Sequence, residues 1–550
     1  MVKLAARTVK PPKAPKAPKA TITSTKGRKS DTFTFNLGAG YTREAKSELY
    51  LLAVTNMVSE DTHYEKAGKR DERFVKLIRQ VALEDPDWVA RLIPYLRDTM
   101  NMRSASIVMA AELVHAKLTQ PVPASKITNR QIIDSAIRRA DEPAELLGYW
   151  MSEWRKNLPQ PVKRGLADAV QRVYNERSLI KYDGGDKAIR FADVIDLVHP
   201  EAKAPWQGDL FKYALDDRHK RIHTWQDTEV GEILGSTGWT KLSTIRANRH
   251  AMSLDGDAFR AAFSATFVDG AGLTWEQASS KYGKLDAKFW EAMIPNMGIF
   301  AIVRNLRNFD DAGIGLEAQD LVRAKLTDGE TIKRSRMFPL RFFTAFLATK
   351  TLTYARELET AIDLSLQNVP ALKGKTLILV DISRSMDWPL SAKSDTTRLA
   401  PASIFGAALA IRAEHPTLVA FTDTSVEIHV RKNQSVLLTT KEIADALIHG
   451  GTQTFQSVKR HLNGHDRVII LTDEQADPAT AYWGVRDGTD KDPSTIIPET
   501  TPLFTFNVAG YHAGHAPSGK KNRYAFGGLS DAAFTAIELL ETGSDETWRF

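Results

Sequence analysis

At 550 residues the chain is too long for a single hydrophobic core and is expected to hold two or three domains. It contains no cysteine, which excludes disulfides, thiolate zinc sites and thiol catalysis, and suits a reducing, cytoplasmic setting. Its net charge of +7 is concentrated at one end: the first thirty residues hold nine of the 74 Lys and Arg and no Asp or Glu, so the rest carries no basic excess. No apolar run approaches a membrane span, and the N-terminus lacks the apolar stretch of a secretory signal. From Lys10 to Ala20 the chain repeats Pro-Lys-Ala, which cannot build a core. Residues 1–30 therefore read as an extended, disordered arm, either an electrostatic tether or a solubilising tail.

Residues 31–370 follow a helical grammar. Asp85 can cap a helix with Pro86 at its first position. Trp88, Val89, Leu92, Ile93 and Leu96 then share one apolar face, and after a break at Thr99–Met102 the spacing repeats in Ile107, Val108, Ala111, Val114 and Leu118. Helix pairs of this kind suit an α-solenoid of HEAT-like units. Within it lie basic clusters that could hold phosphates: Lys181, Lys187 and Arg190 with His199; Arg218, Lys220, Arg221 and His223 beside Trp225; Arg304 and Arg307; and Lys333, Arg334, Arg336 and Arg341. Each cluster alone also fits a solvated helix face.

Near residue 370 the period changes. Strands are predicted at 375–382, 417–422, 425–430, 466–472 and 502–508, with helices at 398–414, 440–448, 454–462 and 530–541. This alternation implies a mostly parallel, doubly wound sheet in residues 371–550. The stretches 476–500 and 512–528 read as surface insertions. The first strand ends in Asp381-Ile382-Ser383-Arg384-Ser385, so a carboxylate and two alternate hydroxyls stand at the carboxyl edge of the sheet, where open α/β sheets bind ligands. Gly450-Gly451-Thr452 adds a hydroxyl on a glycine-rich turn, and a second buried-type strand ends in Asp473. Asp381, Ser383, Ser385, Thr452 and Asp473 are hard oxygen ligands of the kind Mg²⁺ prefers. Their order resembles the metal-ion-dependent adhesion site of von Willebrand factor A domains. With few direct carboxylates, such an ion keeps an open position for a partner's anionic oxygen.

Enzyme motifs are weak by comparison. Gly374-Lys375-Thr376 lacks the upstream glycine of a phosphate loop, and a strand follows it where a helix is required. His219 and His223 are helix-spaced but have no metalloprotease glutamate between them. Gly38-Ala39-Gly40 lacks the rest of a dinucleotide fingerprint and reads as a loop. No Gly-x-Ser-x-Gly elbow is present. The expectation is a binding protein and not an enzyme.

Three further stretches carry a family resemblance: Met100–Ala111, Phe289–Arg307 and Arg336–Arg341. Together with the C-terminal adhesion-type domain, they resemble the Ro autoantigen family, whose helical part is the TROVE module. The resemblance spans about residues 35–550. It implies a ring of HEAT-like helical repeats followed by a von Willebrand factor A-like α/β domain that carries Mg²⁺. It also implies binding of small non-coding Y-like RNA and of single-stranded 3′ ends of misfolded RNA, in RNA stability or quality control. DNA is not the expected ligand, and an exoribonuclease such as polynucleotide phosphorylase is an implied partner. The family's RNA-contacting segment corresponds to Lys181–His199, a stretch made acidic here by Asp183, Asp186, Asp193 and Asp196. The competing expectation is a protein–protein scaffold that uses a helical solenoid and a Mg²⁺-dependent adhesion site.

Overall fold

The computed structural model describes residues 32–33, 39–40, 45–55, 67–155, 158–219, 242–349, 351–389, 396–431, 433–446, 450–473, 493–508, 522–526 and 532–542. The described residues fall into two compact units. One holds 81–336 and 344–361; the other holds those before 81, those in 337–343 and those from 362 onward. No helix among the described residues is long and apolar enough to cross a membrane.

The first unit is helical, and its helices pack chiefly on near neighbours in sequence, as in an α-solenoid. Asp85 caps the helix Pro86–Asp98 by accepting a hydrogen bond from the Trp88 amide at 3.0 Å. Trp88, Val89, Leu92, Ile93 and Leu96 are all buried. The chain then turns at Asn101, whose φ is 54°, and Arg103–Thr119 packs back on the first helix. Ile107, Val108, Ala111 and Val114 are buried, but Leu118, in the last turn, is exposed. Helix periodicity predicts the face but not how far the neighbouring helix covers it. At the other end of the unit, the Arg336 guanidinium donates to the Asp98 carbonyl at 2.5 Å, bringing together residues 238 positions apart.

The second unit is built on a six-stranded sheet in the order β5-β4-β3-β6-β7-β8. Its strands are β3 (Leu372–Asp381), β4 (Ala413–Phe421), β5 (Ser425–Ile428), β6 (Arg467–Thr472), β7 (Leu503–Asn507) and β8 (Arg523–Phe526). A separate two-residue pairing joins β1 (Thr32–Phe33) to β2 (Ala39–Gly40), so part of the Gly38–Gly40 stretch is strand and not loop. All pairs in the large sheet are parallel except the β4–β5 edge. Both faces of the central strands are buried, which is why they read as continuous apolar runs and not as alternations. Leu377, Leu379, Val468 and Ile470 form a core with Val458 of helix Thr454–His461. On the other face, helix Leu399–Arg412 lies so close that a Cβ at Gly406 would stand 2.6 Å from Val380 Cγ2.

Two further sequence expectations change here. The stretch 512–528 is not wholly an insertion, because Arg523–Phe526 adds the sixth strand. The strand is short and follows a Gly/Lys-rich run; its pairing is fixed by β7 and by the Arg523 guanidinium, which donates to the carbonyls of Thr501 and Ile497. The helical and sheet parts also do not divide cleanly at 370. Helix Ala45–Thr55 packs on helix Ala532–Thr542 and on β8, and Phe338 stacks on Phe534 with ring centroids 5.4 Å apart.

Candidate functional sites

The sheet places the carboxylate-hydroxyl constellation. β3 and β6 are adjacent and parallel, with Val380 opposite Leu471. Connections from β3 and β6 leave in opposite directions across the sheet, so their carboxyl ends form the topological switch point. Asp381 and Asp473 stand there, both fully buried. Asp381 Oδ1 accepts the Ser383 amide at 2.9 Å, and Oδ2 accepts the Thr472 hydroxyl at 2.6 Å. The hydroxyls of Ser383 and Ser385 lie 3.2 Å apart. The Thr452 turn is tied to this loop by a bond from the Arg384 amide to the Gly450 carbonyl at 3.1 Å, and to β4 by one from the Gln453 amide to the Thr422 carbonyl at 2.9 Å.

Burial, and then the nearby charge of Asp473, push the Asp381 carboxyl up to about 7. Two buried carboxylates and a pair of converging hydroxyls fit a hard divalent cation: the donors are all oxygen, and a cation would relieve the repulsion. Asp381, Ser383, Ser385, Thr452 and Asp473 are the residues that would hold it. Among the described residues no group of three or more His, Cys, Asp or Glu could hold a metal, so an ion here would rely on hydroxyls and water.

Sequence reasoning missed one member of the site. Arg398, fully buried, donates from Nη1 to Asp473 Oδ2 at 2.9 Å. Its backbone amide bonds the Trp388 carbonyl at 3.0 Å, and its guanidinium lies 5.4 Å from the Trp388 ring centroid. One of the two carboxylates therefore already has a cation of its own. No local signal marks Arg398, which precedes an ordinary apolar helix.

Gly374-Lys375-Thr376 lies in β3, and two of its amides are taken by carboxylates. The Gly374 amide donates to Glu414 at 2.8 Å and the Lys375 amide to Asp466 at 2.7 Å, which is the reverse of a phosphate cradle.

Several arginines of the helical unit are paired with aspartates. Arg190 is held by Asp183 and Asp217, each at 2.8 Å, and Arg218 by Asp193 at 3.0 Å. His219 meets Asp196 at 2.8 Å. Asp183, Asp193 and Asp196 are thus partners of basic or imidazole side chains. Lys181 and Lys187 are exposed, with Lys181 Nζ 5.3 Å from the Tyr182 ring centroid. His199 is exposed and ends helix Phe191–Val198 in the left-handed conformation, φ 48°. Lys220, Arg221 and His223 lie outside the described residues.

Residues 271–356 match the model of the TROVE domain family. The fold is similar to that of the Ro (RSR) protein of Deinococcus radiodurans in its crystal structure. The TM-score is 0.67 and the identity 16%, over 90% of this chain and 99% of that one. At that identity the likeness is one of fold.

Proposed function

We propose that this chain, which carries a TROVE domain within the fold of a Ro protein, is an RNA-binding protein of the Ro type. In this reading it binds small structured Y-like RNA and single-stranded 3′ ends of misfolded RNA in the cytoplasm, and acts in RNA stability or quality control by binding, not catalysis. A nuclease such as polynucleotide phosphorylase would act on what it holds. The observation that carries the reading is the TROVE match at 271–356, set inside a helical unit whose fold agrees with a Ro protein. The basic arm and the exposed Lys181 and Lys187 support it, because phosphate contacts supply most sequence-independent affinity.

The sheet-edge cluster favours a second role alongside the first. Mg²⁺ there would supply an electrophilic open position for an acidic side chain of a protein partner. Crosslinking in the native cell, followed by sequencing of the attached RNA, tests the main reading. Enrichment of small structured RNA supports it. A protein partner that is lost on chelation and indifferent to RNase, with no RNA enriched, would replace it with the scaffold reading.

A further inference from the structure

Helix Ile299–Ala312 buries Ile299, Ile302, Asn305, Leu306 and Phe309. Its outer face carries Phe300, Arg304 and Arg307, spaced four and three apart and so side by side. Both arginines are exposed, and Phe300, at 56%, is the only phenylalanine among the exposed large apolar side chains of the described residues. The Arg304 guanidinium lies 5.7 Å from the centroid of the Trp275 ring, which in turn leans on the buried Trp290 at 6.2 Å. Lys325 fixes the turn before the helix by donating to the carbonyls of Ile294, Pro295 and Met297.

These arginines differ from three others of the unit. Arg190, Arg218 and Arg249 each meet an aspartate. Among the described residues no ion pair involves Arg304 or Arg307. Asp310, three positions beyond Arg307, instead accepts the Thr351 hydroxyl. Uncompensated cations next to an exposed ring match a ligand that offers phosphates and unstacked bases together. A duplex hides its base faces, and an acidic peptide would leave Phe300 unmatched.

We infer that Phe300, Arg304 and Arg307, with Trp275 behind Arg304, form a contact surface for single-stranded RNA, the rings against bases and the guanidinia against phosphates. This rests on the RNA-binding reading and assigns it a face, one that lies within the TROVE-matched segment. Being sequence-tolerant, stacking suits unpaired ends of any sequence better than one defined site.

The test uses the full chain and fluorescence anisotropy with a labelled single-stranded oligoribonucleotide of about 12 nucleotides. A blunt RNA duplex of the same length is the comparison, and salt is varied. Phe300→Ala is expected to weaken single-strand binding about tenfold. Its salt dependence and duplex binding should be unchanged, and Phe300→Trp should restore affinity. The double variant Arg304→Gln/Arg307→Gln is expected to flatten the log–log salt slope by about 1.4. All three replace exposed side chains, and unchanged thermal melts confirm that each variant is folded. Variants that bind like the parent overturn this surface and leave the broader RNA reading standing. A parent chain that binds neither RNA form overturns both.

Discussion

The two candidate sites use charge in opposite ways. At the sheet edge, Asp381, Asp473 and Arg398 are sealed from solvent, and Arg398 answers Asp473 at 2.9 Å. On the helical unit, Arg304, Arg307, Lys181 and Lys187 face water, where a single ion pair is worth little and many weak phosphate contacts must add up. The buried site is therefore sensitive to any one residue, while the exposed surface is graded and salt-dependent. Arg190 lies between the extremes: a residue expected to meet RNA is held by two aspartates, with only 13% of its side chain exposed.

The comparison breaks most easily at Arg398. Replacing it by Met leaves Asp473 buried without its cation, which is expected to cost about 3–5 kcal/mol of stability. Adding Mg²⁺ should return part of that loss, because the freed carboxylate becomes available to the ion. Urea unfolding of the variant with Mg²⁺ and with chelator checks this; a loss below about 1 kcal/mol means Arg398 is not what compensates Asp473. Arg190→Ala is the matching experiment in the helical unit. It is expected to cost about 3 kcal/mol, whereas Lys187→Ala should stay within about 0.5 kcal/mol. If RNA affinity drops in the Arg190 variant without loss of stability, Arg190 belongs with the exposed surface after all.

What the sequence revealed follows the same division. Asp381-Ile382-Ser383-Arg384-Ser385 could be read because a contiguous apolar strand fixes where its last residue points, and the parallel neighbour puts Asp473 beside it. The Asp85 cap and the buried face of Pro86–Asp98 were legible for the same local reason. Arg398 was not, since its burial depends on residues 75 positions away. The pairing of Arg190 and Arg218 was half-visible: the aspartates of 183–196 were evident, but Asp217 comes from the next helix but one. β8 escaped notice because four residues, Arg523–Phe526, carry too little pattern to outweigh the glycines and lysines before them.

The pH dependence sets Asp381 against the carboxylates that arginines hold low. An acid raised on folding takes up a proton as the chain folds, so Asp381 stabilises the protonated state. Its contribution falls as pH rises from its ordinary 3.8 towards about 7 and is level above that. Carboxylates lowered by arginine partners, such as Asp98 and Asp168, act in the opposite sense. The difference between the parent and Asp381→Asn, melted in chelator across this range, isolates the one group. The parent should lose stability relative to the variant as pH rises. Mg²⁺, which favours the ionised carboxylate, should shrink that difference; a gap unchanged by pH would mean Asp381 is ionised throughout.

The smallest expected effect on stability concerns the basic arm, residues 1–30, whose sequence cannot build a core. Each arm cation that neutralises a phosphate of single-stranded RNA adds about 0.7 to the steepness of the log–log salt plot. Deleting residues 1–30 should lower that slope by more than the Arg304/Arg307 double substitution does if several of the nine cations engage. The loss of affinity should be smaller near physiological salt, where the Debye length is about 8 Å, than at low salt. An unchanged slope makes the arm a solubilising tail and leaves the folded helical surface as the source of RNA affinity. A slope that collapses entirely makes the arm the main electrostatic contact, and the arginines of helix Ile299–Ala312 a local guide for the strand.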